Sequence, residues 1–344
     1  MIREAAPRER RRIPPAGLEL VPARRLLVDA LVAWLPLAPG DRVLVSPGDR
    51  VAAGLPLAEC SRGGRTVVVR MSPAEAARLR PGAGWPAEAV EGEEPGEALF
   101  AVAGRWRVAV GERHEVVAAP AAGTIGRVDP GRGMQLQLGG RAILGRALIG
   151  SAVRGPLDVA VASNAELRAT AVDVGRAGAV VVAGAHIDAE ALTRARATGL
   201  RGIVVGGLGA AVRRDLSASE SRRLAGLHPT DAFGVLVLDG MQRRPIASPV
   251  AALLRLLERR QVALIADPPA LVVDDPPSRM PAPPRDLVRF LAGPYLGREG
   301  RWLGLAGRRR SSGGGVAVDS LAGLVAIDGF GTVAVPIGDL ERFV

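Results

Sequence analysis

The sequence predicts a multidomain α+β protein with a β-rich N-terminal part, a small central α/β domain with a mostly parallel sheet, and a small C-terminal β-domain. Three observations predict this arrangement. Short apolar runs between glycines and prolines fill the first part, strand-like and helix-like runs alternate in the second, and a proline-dense stretch precedes the third. A chain of 344 residues is also too long for one ordinary core.

The predicted boundaries follow these changes of pattern. The N-terminal part covers residues 1–157, the central domain 158–272, a linker 273–285 and the C-terminal domain 286–344. Prolines recur through the linker, where they remove backbone donors and favour an extended conformation. We therefore expect the linker to be a semi-rigid spacer.

The composition excludes several kinds of chemistry. Lysine plus arginine number 45 against 35 acidic residues, and every one of these cations is arginine because the sequence contains no lysine. A lysine-borne cofactor, a phosphate-loop lysine and a Schiff base are therefore excluded. The net charge of +10 is a modest excess for this length, so binding of a polyanion remains one alternative.

Other features of the composition reduce the number of functions that the chain could have. Aromatic residues make up only 3% of the chain, which argues against a nucleic-acid binder built on stacking platforms. Cys60 is the single cysteine, so it forms no disulfide within the chain and is expected to be a small buried residue. The stretch 24–39 imitates a secretion signal, but Asp29 interrupts its apolar run. We interpret it as a folded segment of a cytoplasmic protein.

Two glycine-rich patterns stand out among the short strands of the N-terminal part. The predicted strands are 43–45, 66–70, 105–110 and 134–138. Residues 46–59 contain the pattern G-D-x-V-x-x-G-x-x-L-x-E, which begins at Gly48, and residues 119–128 contain the pattern A-P-x-x-G-x-I, which begins at Ala119. Both resemble the hairpins of biotinyl/lipoyl-like barrel-sandwich domains. Carrier members of that family attach their cofactor to a lysine, so we expect no covalent lipoate or biotin, and no cofactor at all.

The central domain alternates strands and helices at short spacing. The predicted strands are 179–183, 202–205, 234–238 and 262–266, and the predicted helices are 188–197, 216–224 and 249–260. Ser217 is a candidate cap for the second helix, with Glu220 three residues later as in a capping box. Strands that are apolar throughout favour a parallel sheet covered on both faces.

The ends of these central strands carry the candidates for a ligand site. His186 is expected to open a helix, Gly206 and Gly207 could offer backbone N–H groups to an anion, and Asp239 follows the third strand. The alternative for the glycines, which we favour, is a tight turn where helix and strand approach closely. Asp231, Asp239 and Asp267 could gather near one edge, but no catalytic constellation is evident, and His114 and His228 lie too far apart in sequence to support a metal site.

The C-terminal part contains the most specific motif. Residues 288–300 have the form V-R-x-x-x-G-P-Y-x-G-x-x-G, followed by a strand–turn–strand at 324–336. This resembles the KOW motif of NusG-type SH3-like barrels, small modules that dock RNA or protein partners in transcription and translation. The arginines 308–310 are expected to form a basic, flexible loop tip that binds phosphates or is simply solvated. The partner-binding candidates are Gly293, Pro294, Tyr295, Arg298, Arg301, Arg308, Arg309 and Arg310.

The order of the three parts resembles a group of bacterial multidomain proteins that has no established activity. The sequence therefore predicts a non-enzymatic binding or scaffold protein that docks a protein or RNA partner through its KOW domain. The alternative is a sensor or enzyme that holds a small anionic ligand in the central crevice, beside His186, Gly206, Gly207 and Asp239.

Overall fold

The protein is described here by a computed structural model that covers residues 16–70, 74, 84–85, 96–102, 105–224, 232–276, 282–313 and 316–344. Within these ranges the chain is rich in β-strands that form several sheets, with short helices between them. The prediction of a β-rich protein that also contains helices is confirmed. None of the helices in these ranges is long and apolar enough to cross a bilayer.

The elements are numbered along the chain. Up to residue 150 the strands are β1 (Ala23–Arg24), β2 (Val28–Asp29), β3 (Val32–Pro36), β4 (Arg42–Val43), β5 (Arg50–Val51), β6 (Pro56–Arg70), β7 (Gly84–Trp85), β8 (Gly96–Val102), β9 (Arg105–Ala118), β10 (Gly123–Asp129), β11 (Gly133–Leu138), β12 (Arg141–Leu144) and β13 (Ala147–Gly150). The following stretch contains β14 (Val153–Val159), β15 (Glu166–Leu167), β16 (Val180–Val182), β17 (His186–Ile187), α1 (Ala189–Ala197), β18 (Gly202–Gly207), α2 (Ala210–Leu224), β19 (Gly234–Gly240), α3 (Ser248–Leu256), β20 (Gln261–Ala266) and β21 (Pro269–Val273). The last strands are β22 (Leu287–Phe290), β23 (Glu299–Gly313), β24 (Val316–Ile327), β25 (Gly331–Pro336) and β26 (Leu340–Phe343).

The chain divides into two compact units. The main unit consists of Leu27–Ile246 and Leu254–Ser278, and the terminal unit of Met1–Leu26, Ala247–Leu253 and Arg279–Val344. The nine-stranded sheet of the main unit, in the order β13-β19-β18-β16-β14-β20-β21-β12-β2, takes strands from both sides of residue 157. The predicted domain boundaries stay predictions, and the linker at 273–285 lies partly outside the described residues.

Four neighbouring strands of this sheet, β14, β16, β18 and β19, run parallel. All residues of β16 and β18 are buried, because this part of the sheet is covered on both faces. One face contributes Val181, Ile203 and Val235 to a cluster that includes Leu192 of α1 and Leu216 of α2. Residues of two helices thus pack with residues of three strands in one buried cluster.

The predicted strand 262–266 is present as β20, but its place in a mostly parallel sheet is corrected. It pairs antiparallel with β14, where Val153 lies opposite Leu264, and antiparallel with β21. Ala266 lies opposite Pro269, so only two residues connect β20 to β21. A connection this short joins antiparallel strands, because a parallel pair needs a long crossover.

The second central helix also differs from its prediction. It begins at Ala210 rather than at residue 216, so Ser217 lies inside the helix and caps nothing. The oxygen of Glu220 instead accepts a hydrogen bond from the Ser151 hydroxyl. Ser217 matched the capping-box pattern by residue type alone, while Gly209, which precedes the helix, has no side chain that could have signalled its start.

The two glycine-rich patterns of the N-terminal part meet in space. Strand β5 from the first pattern pairs with β10 from the second, with Arg50 opposite Thr124. Gly48 and Gly54 both have positive φ, and their N–H groups donate to carbonyls of Ile125 and Ala119. The surrounding core contains Leu57, Ile125, Met134 and Leu136. Both patterns therefore contribute to a single small β core, together with strands outside them.

The terminal unit contains a six-stranded sheet in the order β1-β26-β22-β23-β24-β25. Its core surrounds Trp302, which is fully buried with Phe290, Val325 and Leu340. At Gly323 on the neighbouring strand, a Cβ would lie 1.9 Å from the Trp302 ring, so glycine is required for the close contact. The N-terminal strand β1 pairs in parallel with β26, an association that no motif in the sequence indicated.

Candidate docking surface

The KOW-like stretch forms a compact loop between β22 and β23. The N–H of Gly297 donates to the Phe290 carbonyl at 2.8 Å, and the N–H of Phe290 donates to the Arg298 carbonyl at 2.9 Å. Gly293 and Gly297 have φ of 76° and 78°, which glycine adopts without strain. These bonds fix the loop at both ends, so the side chains it carries are held in place.

An aromatic–arginine patch, made of Tyr295, Arg298 and Phe330, lies at this loop. The Tyr295 ring is 5.5 Å from buried Phe290 and 5.9 Å from Phe330, in tilted and edge-to-face geometry. The Arg298 guanidinium carbon is 4.3 Å from the centroid of the Phe330 ring, a cation–π contact. Phe330 nevertheless remains 51% exposed. The patch therefore presents a large apolar ring that its neighbours hold in a defined orientation.

Phe330 reaches the patch from a different turn. It lies between β24 and β25, flanked by Gly329 and Gly331, both with φ of 77°. Its N–H donates to the Ile327 carbonyl at 3.0 Å, which closes the turn. The strand–turn–strand pattern at 324–336 predicts only a turn at this place and gives no role to the Phe330 ring. An aromatic residue between two turn glycines is itself a signal of exposure, because it has no strand position from which to enter the core.

Two further predicted residues flank the patch. Gly293 and Pro294 are exposed and immediately precede Tyr295. No atom lies within 4 Å of a Cβ built at Gly293, so the glycine is explained by its positive φ rather than by crowding. The structure thus brings Gly293, Pro294, Tyr295 and Arg298 together, and it adds Phe330.

The remaining arginines of the prediction lie along β23. Arg301 is exposed near the start of the strand, opposite Leu287 and Ala326. Arg308 and Arg309 are exposed farther along, opposite Leu321 and Ser320. Neither makes an ion pair within the described residues. The prediction of a flexible loop at 308–310 is wrong, because these residues belong to strand β23, which continues to Gly313.

The hairpin of β23 and β24 extends beyond the neighbouring strand β25. Strand β25 pairs with β24 only from Ala322 to Ile327, so residues 308–313 and 316–321 form a two-stranded arginine ribbon. The side chain of Arg310 lies outside the described part. A strand rises about 3.3 Å per residue, and the fifteen residues of β23 separate the patch from the ribbon's tip. The predicted partner-binding residues therefore lie on two separate surfaces, one at the aromatic–arginine patch and one along the arginine ribbon.

His186 differs from its prediction. It lies on β17, paired with β15, and α1 begins only at Ala189 with Asp188 as its N-cap. Asp188 accepts a hydrogen bond from the Ala191 N–H at 2.6 Å. His186 Nδ1 is 3.4 Å from the Gly207 carbonyl oxygen. His186 therefore does not open the helix, because the acidic residue after the strand takes the capping position.

The two glycine N–H groups considered for an anion are occupied by the chain's own backbone. The N–H groups of Gly206 and Gly207 donate to the carbonyls of Gly184 and Ala185. A Cβ at Gly206 would lie 2.0 Å from the Arg244 carbonyl oxygen, and one at Gly207 would lie 1.6 Å from that of Gln242. The segment 242–246 thus passes directly over these glycines. Close approach accounts for both of them.

The acidic candidates are dispersed. Asp239 is buried at the end of β19, and its backbone carbonyl accepts a hydrogen bond from Arg244 Nη1 at 2.9 Å. Asp267 is exposed after β20, while Asp231 and His228 lie outside the described residues. His114 is exposed on β9, and Cys60 is buried as predicted. No group of three or more metal-ligating side chains comes together in the part of the chain that the structure describes.

A scan of protein-family models finds no match to this chain, and a search of curated proteins finds none either.

Proposed function

We propose that this chain is a non-enzymatic cytoplasmic binding or scaffold protein that docks a partner through its terminal unit, in a process linked to transcription or translation. The last strand, β26, lies beside the first KOW-like strand, β22, and this order supports an SH3-like barrel of the KOW type. The pairing of β5 with β10 supports a barrel-sandwich hybrid in the main unit. Without lysine, that hybrid carries no lipoate or biotin.

The observation that carries the proposal is the aromatic–arginine patch. Exposed aromatic rings cost free energy in water, and tyrosine and arginine are enriched where binding energy concentrates in protein interfaces. Phe330 is half exposed yet held by Arg298 and Tyr295, so little side-chain entropy is lost when a partner covers it. A protein partner with an apolar pocket and an acidic rim fits this arrangement.

Replacing Phe330 with alanine is expected to weaken the partner complex about thirtyfold, because loss of a hot-spot residue costs about 2 kcal/mol. Full-length wild type and variant, each tagged in the native cell, are compared by affinity capture and quantitative mass spectrometry, and the captured partner is then titrated in purified form. Leu20→Ala is the matched control, since Leu20 belongs to the same unit and is also 51% exposed. If both variants retain the same set of partners as wild type, docking through the patch is rejected.

The arginine ribbon favours RNA as a second candidate partner. Arg308 and Arg309 are exposed on this ribbon, Arg301 is exposed nearer the start of the same strand, and arginine binds phosphate in a bidentate manner. This contact needs no aromatic platform, so the low aromatic content does not oppose it.

If RNA binds here, affinity for a single-stranded RNA should fall steeply with salt. The double substitution Arg308→Gln and Arg309→Gln is expected to reduce the slope of log affinity against log salt by about 1.4, since each phosphate contact on a single strand contributes about 0.7. Fluorescence anisotropy at several salt concentrations measures the slope. Arg213→Gln with Arg214→Gln, an exposed adjacent pair on α2, is the control. A wild-type affinity independent of salt would remove RNA from consideration.

A further inference from the structure

A cavity of about 520 Å³ lies in the main unit between α1 and α2. Its walls are facing stripes of the two helices, at positions three or four residues apart, as expected where two helices diverge over a sheet. This is a different place from the strand ends around His186 and Gly206, where the backbone fills the space. The volume is within the range of small-molecule sites, about 300–1,000 Å³.

The floor of the cavity is apolar. Leu192, Leu200, Leu216 and Phe233 line it, and all four side chains are buried. Leu200 lies two residues before β18 and Phe233 immediately before β19, so the sheet fixes their positions. Such a floor accepts the hydrocarbon part of a ligand, because removing apolar surface from water favours binding.

Arginine supplies the polar wall. Arg196 Nη1 donates to the Ser219 hydroxyl at 2.6 Å, and its guanidinium carbon lies 5.7 Å from the centroid of the Phe233 ring. Arg222 joins the same wall and donates from Nε to the Ala218 carbonyl at 3.2 Å. A guanidinium has five N–H donors, so each of these contacts leaves donors for an anion. Asp215 also lines the cavity, and the three charged groups sum to one net positive charge.

We propose that this cavity binds a small amphipathic monocarboxylate, with the hydrocarbon part on the leucine and phenylalanine floor and the carboxylate on Arg196 and Arg222. One net positive charge matches one negative charge, and the Asp215 carboxylate disfavours a dianion. A planar carboxylate accepts two parallel hydrogen bonds from one guanidinium. The site would make the main unit a ligand-binding module, independent of docking by the terminal unit.

The test uses full-length protein and octanoate as the probe, measured by isothermal titration calorimetry. Saturable binding of one octanoate per chain is expected, with octanol about tenfold or more weaker, since a hydrogen bond to a charged group contributes about 1.5–3 kcal/mol. Octylammonium should not bind. Absence of saturable octanoate binding, or equal binding of octylammonium, would overturn the proposal.

Variants locate the site. Ala197→Phe should abolish octanoate binding, because Ala197 is an exposed wall residue and the larger side chain fills the space. Ala211→Phe, at an exposed position of α2 outside the walls, should bind as wild type does. Arg222→Gln should weaken binding about tenfold for loss of a charged partner. Circular dichroism confirms that each variant is folded, and unchanged affinity of a folded Ala197→Phe protein would place the ligand elsewhere.

Discussion

A Gly207→Ala variant is expected to lose about 3 kcal/mol or more of folding free energy, at or beyond the upper end of the usual cost of overpacking. The added Cβ would lie 1.6 Å from the Gln242 carbonyl oxygen and 2.7 Å from its carbon. Both atoms are backbone, so no rotamer change can relieve the contact. Either the segment 242–246 lifts off β18, or the strand shifts in its register with β19.

Hydrogen exchange read by mass spectrometry measures this effect locally. Amides of β18 and β19 should lose protection in Gly207→Ala, while those of the terminal unit keep theirs. Gly209→Ala is the matched control, because the nearest atom to its Cβ is His186 Cε1 at 3.9 Å. A change within about 0.5 kcal/mol is expected there. Equal protection in the two variants would show that the backbone does not cover Gly207, and the crevice would again be open to an anion.

The elements of the main unit could be predicted where local pattern decides them. Short β-branched runs such as 202–205 fit a strand buried on both faces, and the predicted helix at 188–197 differs from α1 only by its cap, Asp188. Which strands pair with one another could not be predicted in the same way. The antiparallel pairing of β20 with β14 and the parallel pairing of β1 with β26 join segments far apart in sequence. Pairing of this kind depends on tertiary packing, which local pattern does not contain.

The residues of the candidate sites also differ in whether a local sequence pattern could predict them. Tyr295 and Arg298 could be found because a contiguous motif places both on one loop. Phe330 and the α1–α2 cavity could not, since each results from separate segments meeting in space. The glycines Gly206 and Gly207 show the converse. Their pattern suits both an anion cradle and close backbone contact, and only the position of segment 242–246 distinguishes the two.

Replacing Glu341 with glutamine is expected to destabilise the terminal unit by about 3–5 kcal/mol, the usual cost of breaking a buried ion pair by removing one of its charges. Arg289 lies directly opposite Glu341 on β22 and is only 1% exposed. Glu341 Oε1 is 3.8 Å from Arg289 Nη1 and 3.6 Å from Arg24 Nη1. One carboxylate therefore serves two guanidiniums, and its neutralisation weakens its charge contact with both.

Urea unfolding of the full chain, with hydrogen exchange to assign the transition to β22 and β26, tests this expectation. Glu59→Gln is the surface control, because the Arg42–Glu59 pair is 69% and 47% exposed and a pair of this kind contributes at most about 1 kcal/mol. The double variant Arg289→Met with Glu341→Leu should recover most of the loss, since apolar residues of similar size replace the whole pair. The Arg24 contact adds a second consequence: loss of Glu341 should also expose the amides of β1, which β26 holds in parallel. If β1 keeps its protection in Glu341→Gln, the N-terminal strand is held by Leu18 and Val21 in the core and not by charge.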